Sequence, residues 1–225
     1  MRGFRLQFRS VNLSNLKAIN IENKEIEQVR SFKYLGSIVN TDNKMEEETK
    51  EKVALGNKAF FANRKIFQSK LISKNAKLTL YFSVIRPAVT YACKTWILRE
   101  TISDKLMVFG RKILRKIFGP TFENGSWRIK SNQELDKLIK HKNIINFARV
   151  QRLGWYGHIE RMQETRMVKA THAWKPISKR LMRRPKIDWE DDVKKDTQRL
   201  KVSNWKALVQ NRRWKEVVGK AKTLH

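Results

Sequence analysis

The chain has 225 residues, 40% of them hydrophobic, and its 50 lysines and arginines exceed its 21 aspartates and glutamates by enough to give a formal net charge of +29. This length and apolar content allow at least one buried core, whereas the excess charge repels itself and favours a polyanionic partner, for which we expect nucleic acid. One cysteine, Cys93, excludes an internal disulfide, and four scattered histidines exclude a metal site built on clustered cysteine and histidine ligands.

Hydropathy excludes a membrane partner. The sequence has no run of 18 apolar residues, and its first ten residues contain no apolar run long enough for a signal peptide. We therefore expect an intracellular protein, nuclear or cytoplasmic.

Period-2 apolar patterns at the beginning of the chain predict short strands. Ile19 and Ile21 alternate with polar residues, and residues 32–39 form a second alternating segment. We assign residues 1–40 to two or three strands, with a plausible turn at Asn23-Lys24.

Residues 41–120 predict a helical domain. Ser73 is a candidate N-cap for a helix that Pro87 bends or breaks. Residues 101–118 give the clearest helix, with Arg111 and Arg115 expected to project away from its apolar stripe. That stripe consists of Ile102, Leu106, Phe109, Ile113 and Ile117.

The rest of the chain divides into three parts. Residues 121–174 predict a loop carrying Trp127, a short helix from Asn132 and a longer one from about Asn143. Residues 175–187 predict a basic linker, and residues 188–225 predict two helices, 188–200 and 203–220. The expected fold class is mainly α, with a short N-terminal β-hairpin, a helical thumb-like bundle and a C-terminal helical region.

Catalytic constellations are missing from the sequence. Two-metal catalysis needs carboxylates that converge on magnesium ions, but the only adjacent aspartates, Asp191 and Asp192, lie where a helix N-terminus favours acids. We expect no catalytic residue, no metal site and no cofactor in this chain.

Basic residues beside aromatic ones are the candidates for nucleic-acid contact, since cations pair with phosphates and aromatic rings stack on bases. For any single tryptophan, packing in a core is the favoured interpretation. The candidate contacts are Arg111, Arg115, Arg128, Arg152, Arg183, Arg184 and Lys186.

A series of short segments resembles, in order, motifs of endonuclease–reverse transcriptases from non-LTR retrotransposons. The resemblance covers roughly residues 19–218. The segments are F-K-Y-L-G-S at 32–37, I-R-P at 85–87, T-Y-A-C-K-T-W at 90–96, F-G-R-K-I-L-R at 109–115, I-F-G-P at 117–120, W-R-I at 127–129, Q-R-L-G-W-Y-G-H at 151–158, R-P-K at 184–186, and Trp189 with D-D-V at 191–193. Departures include Ala92, where the family pattern has glycine.

This resemblance implies a layout. In the family, the segment like residues 32–37 is a primer grip at the edge of the polymerase palm, which makes Lys33, Tyr34, Leu35 and Gly36 primer-grip-like. A helical thumb that grasps the template–primer duplex follows it. The Tyr/Phe-Ala-Asp-Asp motif of the palm has no counterpart in this sequence, so Mg²⁺ would belong to a palm outside it, and we expect no polymerisation by this chain alone.

Two interpretations of function remain open. The chain is a reverse-transcriptase fragment that works with a palm-containing chain in trans, or a non-enzymatic DNA- or RNA-packaging protein. An apolar surface left exposed where a palm would pack distinguishes the first from the second.

Overall fold

The strands of this protein pair as antiparallel hairpins. Its computed structural model describes residues 19–21, 24–27, 29–41, 44–174, 188–202 and 204–223. Within these residues β1 (Ile19–Ile21) pairs with β2 (Lys24–Ile26), β3 (Ser31–Tyr34) with β4 (Ser37–Asn40), and β5 (Thr121–Glu123) with β6 (Ser126–Arg128). The first two hairpins confirm the predicted short strands. Asn23, in the predicted turn, lies outside the described residues.

The third hairpin replaces the loop predicted around Trp127. Its turn residues, Asn124 and Gly125, both have positive φ, 50° and 78°. A two-residue turn of this kind matches the right-handed twist of the strands, and Asn-Gly is its strongest sequence signal. The sequence therefore contained the information that predicts this hairpin.

Helices make up most of the described chain, as predicted. They are α1 (Met45–Ala62), α2 (Arg64–Gln68), α3 (Lys74–Leu80), α4 (Arg86–Val89), α5 (Glu100–Phe118), α6 (Asn132–Leu138), α7 (Ile144–Glu160), α8 (Met167–Ala173), α9 (Trp189–Arg199), α10 (Trp205–Val209) and α11 (Trp214–Lys220). The single helix predicted over residues 203–220 is two helices, α10 and α11, separated at residues 210–213. Ser73 caps α3 as predicted, accepting a hydrogen bond from the backbone N–H of Ala76 at 3.2 Å.

The helical segment around Pro87 is not broken, although its helix type changes before the proline. A π-helical turn, Tyr81–Ile85, connects α3 directly to α4. Proline has no N–H to donate to the carbonyl four residues earlier, and the wider turn accommodates the missing hydrogen bond. The segment thus stays helical from residue 74 to residue 89.

The larger core surrounds α5. Its predicted apolar stripe is buried at every position, against residues from α1, α2, the segment from α3 to α4, α6 and the first half of α7. Gly56 lets α1 approach closely, because an added Cβ would lie 2.2 Å from Cγ2 of Val89 and 2.7 Å from Cζ of Phe109.

A second core lies around the other half of α7. Leu153 and Tyr156 pack there against residues of α9, α10 and α11. The indole N–H of Trp214 donates to the carbonyl of Leu153 at 2.8 Å, and a Cβ on Gly157 would lie 2.3 Å from that indole ring. Because α7 contributes to both cores, one helix joins the two halves of the fold. The domain divisions at residues 40, 120, 174 and 187 stay predictions.

Candidate nucleic-acid interface

The β3–β4 hairpin, which carries the primer-grip-like residues, lies on α1. Lys33 forms an ion pair with Glu51, and the backbone N–H of Ile38 donates to Oε2 of Glu48 at 2.6 Å. Acids in the first half of α1 thus do more than match the positive end of the helix dipole. They hold the inner face of the hairpin through charge-assisted hydrogen bonds.

A buried lysine fixes the turn of this hairpin. Lys52 is 1% exposed and donates to the carbonyl of Gly36, while its ammonium lies 3.5 Å from Glu48 and 4.8 Å from the ring centre of Tyr91. Leu35 and Gly36 have φ of 46° and 78°, so the turn needs positive φ at both positions. The structure therefore gives Gly36 a conformational role in the turn.

The outer face of the same hairpin is apolar and exposed. Phe32, Tyr34 and Leu35 are 57%, 60% and 74% exposed, and Val39 adds an aliphatic side chain to the same face. The rings of Phe32 and Tyr34 are stacked with centres 6.5 Å apart. A two-stranded hairpin thus presents its apolar side to solvent and its polar side to the protein.

Arg111 and Arg115 do not project freely from α5, contrary to the prediction. Both are half-buried and reach toward α6. The guanidinium of Arg111 lies 3.7 Å from the carboxylate of Asp136, and Arg115 donates to Oδ1 of Asn132 at 2.7 Å. Phosphate binding by these two arginines stays a prediction, but each already has a partner within the fold.

Arg128 is also paired within the fold. Its guanidinium donates to both carboxylate oxygens of Glu134, at 2.9 and 2.7 Å, and forms an ion pair with Glu123. The hydrogen bonds from Arg128, followed by the backbone N–H of Ser131, lower the pKa of Glu134 to about 2. Arg128 therefore connects the β5–β6 hairpin to α6, and its predicted phosphate contact stays a prediction.

Arg152 is buried within the fold, contrary to the exposed position that its predicted nucleic-acid contact requires. Its side chain is 0% exposed and forms ion pairs with Asp192 and Asp196, and Nη1 donates to the carbonyl of Trp96 at 3.0 Å. Burial raises the pKa of Asp196, an effect that the guanidinium groups of Arg152 and Arg149 oppose. A guanidinium without accessible surface has no route to a phosphate.

The acids of α9 have a structural role beyond the helix dipole. Asp188 is the N-cap and accepts from the backbone N–H of Asp191 at 2.8 Å, as expected of a helix N-terminus. Asp192, by contrast, points into the protein and accepts from the backbone N–H of Leu98 at 2.7 Å as well as from Arg152. Asp192 is therefore a docking residue that attaches α9 to α7 and to the segment after α4.

Segments that are far apart in the resemblance series meet at this point. Trp96 ends the T-Y-A-C-K-T-W segment, Arg152 lies in Q-R-L-G-W-Y-G-H, and Asp192 lies in D-D-V. Cys93 is buried nearby in the larger core, and burial raises the pKa of its thiol to about 11. This interior is a structural junction, and the described residues contain no group of three or more histidines, cysteines or acids placed to hold a metal ion.

The three remaining predicted contacts, Arg183, Arg184 and Lys186, lie outside the described residues. Among the helices that the structure does describe, none is long and apolar enough to cross a membrane.

A basic surface that the sequence reasoning missed lies between α1 and α3. No aspartate or glutamate occurs between Glu51 and Glu100, whereas ten lysines and arginines do. Five of these cations are exposed between the end of α1 and the beginning of α3, and none has an ion-pair partner among the described residues. These five, which we call the α1–α3 basic surface, are Lys58, Arg64, Lys65, Lys70 and Lys74. The acid-free interval is the sequence signal that points to it.

Comparison with known proteins found a distant similarity. The chain resembles a Caenorhabditis elegans protein whose name describes it as uncharacterized and transposon-derived. The two are 22% identical over 201 residues, which cover 86% of this chain and 72% of the relative. No protein-family model and no solved structure matches the chain. The similarity indicates a transposon origin.

Proposed function

We propose that this chain is a nucleic-acid-binding part of a retrotransposon reverse transcriptase, and that it grips the template–primer duplex with thumb-like and primer-grip-like elements. The observation that carries the proposal is the α1–α3 basic surface. Five exposed cations occur within residues 58–74, where the sequence has no acid to neutralise them. Phosphates neutralise such a surface with release of their counterions, which makes binding strong and sequence-tolerant.

The position of this surface supports a grip on a duplex. α1 contacts both the β3–β4 hairpin and α5. The segment from Lys58 to Lys74 runs from the end of α1 through α2 to the beginning of α3, so the cations are mounted on a packed helical body. Cations on such a rigid scaffold keep a fixed spacing, which suits the regular phosphates of a duplex.

The exposed outer face of the β3–β4 hairpin favours a polymerase fragment over a packaging protein. A packaging protein has no need for exposed Phe32, Tyr34 and Leu35 on one small sheet. A thumb whose primer-grip-like hairpin packs against a palm requires such a face. The partner in this proposal is a palm-containing polypeptide, and the Mg²⁺ chemistry of nucleotide transfer would be carried out there.

Salt-dependent binding tests the proposal. The probe is a fluorescein-labelled RNA–DNA hybrid, titrated by anisotropy between 50 and 200 mM salt. If ~6–10 phosphates are neutralised, affinity falls by roughly 10³–10⁵ across that range. Replacement of the five cations of the α1–α3 basic surface by glutamine should make log affinity depend less steeply on log salt. The magnitude of the slope should fall by about 2–4, at ~0.9 per lost contact.

A second set of exposed cations is the matched control. Five glutamine replacements there remove the same charge from the C-terminal half of the fold, at Lys195, Arg212, Arg213, Lys215 and Lys220. We expect this control to change the slope by less than about 1. Equal losses in the two variants would mean that binding follows net charge alone and would favour the packaging protein. Affinity that does not respond to salt in the unmodified chain would overturn the proposal.

A further inference from the structure

The β5–β6 hairpin has two chemically opposite faces. Phe122 and Trp127 are directly opposite each other across the strands, so both side chains lie on one face. Thr121, Glu123 and Arg128 occupy the other face by strand alternation. What this hairpin can bind therefore depends on which of the two faces is exposed to solvent.

The fold contacts the polar face, where Thr121 and Arg128 are half-buried while Glu123 stays exposed. Arg128 binds Glu134 on α6 through two hydrogen bonds, at 2.9 and 2.7 Å, and Lys130 donates to Oγ1 of Thr121. Arg115 on α5 donates to the carbonyl of Lys130 at 3.4 Å. These contacts position the hairpin without help from its aromatic residues.

The aromatic face is left in solvent. Phe122 is 59% exposed and Trp127 is 71% exposed, with ring centres 5.2 Å apart and ring planes inclined by 59°. Large aromatic side chains contribute most to stability when they are buried. Neither ring belongs to one of the two cores. The expectation that a tryptophan packs into a core is therefore wrong for Trp127.

The composition of this face favours bases as its ligand. The exposed face of the β3–β4 hairpin mixes rings with the aliphatic side chains of Leu35 and Val39, as suits packing against protein. Within the strands of the β5–β6 hairpin the outer face carries two rings, and the exposed aliphatic side chain of Ile129 follows directly after β6. An unpaired base can stack on such a ring whatever its identity, whereas the bases of a duplex are already stacked.

We propose that Phe122 and Trp127 form a stacking platform for unpaired bases of a single-stranded nucleic acid. The proposal rests on the proposed function, because the net charge of +29 supplies the attraction for the phosphate chain. The platform extends that function from a grip on a duplex to capture of a strand that is not base-paired.

Variants of Trp127 test the platform. The probes are a fluorescein-labelled oligothymidine of about 20 nucleotides and a blunt RNA–DNA hybrid of equal length. Trp127→Ala should weaken binding to the single strand by roughly 5- to 150-fold, the range expected for one lost base–aromatic stack. Binding to the blunt hybrid should stay within about twofold, and the salt slope should not change, because no phosphate contact is lost.

Two controls make this result specific. Trp174→Ala removes another exposed tryptophan, which is 56% exposed and lies after α8, and should leave both affinities unchanged. An abasic strand of the same length should bind the unmodified protein and Trp127→Ala equally. Trp127→Phe, which keeps a ring, should retain most of the single-strand affinity.

Each failure has a distinct meaning. If the unmodified chain binds neither probe, the proposed function fails. If it binds both and Trp127→Ala binds the single strand as tightly as before, the platform is wrong while the proposed function stands. If sedimentation shows self-association that Trp127→Ala abolishes without loss of single-strand binding, the aromatic pair is an interface between copies and the platform is overturned.

Discussion

Substitution of Arg152 separates a structural arginine from a nucleic-acid contact. Arg152→Leu keeps an apolar stem inside the protein but removes the guanidinium that holds Asp192 and Asp196. Both carboxylates then remain in a buried site with fewer partners. Removal of one partner from a buried ion pair is strongly destabilising because it leaves an uncompensated charge.

The magnitude follows from what each carboxylate retains. Asp192 keeps the backbone N–H of Leu98 at 2.7 Å, and Asp196 keeps the guanidinium of Arg149 at 3.2 Å. Neither is left entirely alone, so we expect a loss of ~3 kcal/mol, at the lower end of the 3–5 kcal/mol typical of broken buried pairs. For a chain of this size, that loss corresponds to a fall in melting temperature of ~6–12 °C.

Thermal unfolding followed by circular dichroism measures the effect. Addition of Asp192→Asn to Arg152→Leu should recover part of the lost stability, because the neutral amide removes one of the stranded charges. Arg64→Leu on the α1–α3 basic surface is the matched control, since it also removes one guanidinium. It should leave the melting temperature unchanged and lower the salt slope of nucleic-acid binding by about 1.

Arg152→Leu should lower the melting temperature instead. Below that temperature, its nucleic-acid binding should keep the salt slope of the unmodified chain. Unchanged stability together with a salt slope reduced by about 1 would refute the assignment, because it would make Arg152 an accessible phosphate contact.

Two further predictions concern local conformation and pH. Ala92 has a left-handed φ of 61°, which costs a residue with a Cβ ~1–2 kcal/mol. Because glycine loses more entropy on folding by ~0.4–1 kcal/mol, Ala92→Gly should stabilise the fold by about 0 to 1.6 kcal/mol. A clear fall in melting temperature would contradict the assigned backbone. The folded pKa of Glu134, about 2, lies below its ordinary value of 4.5, so its pairing with Arg128 contributes stability above about pH 4.5 that is lost as the pH falls toward 2. Urea unfolding of Glu134→Gln and the unmodified chain should therefore differ at neutral pH and converge across that interval, whereas a constant difference would argue against the pair.

Local signals predicted much of the fold. The α5 stripe repeats at helical spacing and is buried as expected, because periodicity reports directly which side of a helix faces a core. Ser73 caps α3 because its side chain satisfies a backbone N–H at the beginning of the helix, an interaction confined to neighbouring residues. The missed β5–β6 hairpin belongs to the same class, since Asn124-Gly125 is a local turn signal.

Functional assignments were harder to make from local sequence. Arg111, Arg128 and Arg152 look alike as basic residues near aromatic ones, yet they have different partners and very different burial. The cations of the α1–α3 basic surface stand out because no acid is near them in the sequence. Adjacency in sequence does not report which charges are already neutralised by side chains far along the chain.

The sequence by itself determined the helical fold class, the excess positive charge and the order of the resemblance motifs, because composition and periodicity are properties of neighbouring residues. Only the tertiary structure decided that Arg152 is a buried junction, since Asp192 and Asp196 lie 40 and 44 residues away. It also decided which sides of the two exposed aromatic hairpins face solvent, because Glu48 on α1 and Glu134 on α6 hold the polar sides inward. Charge pairing between distant segments is set by folding of the whole chain, and it selects which of the many cations stay free for a phosphate.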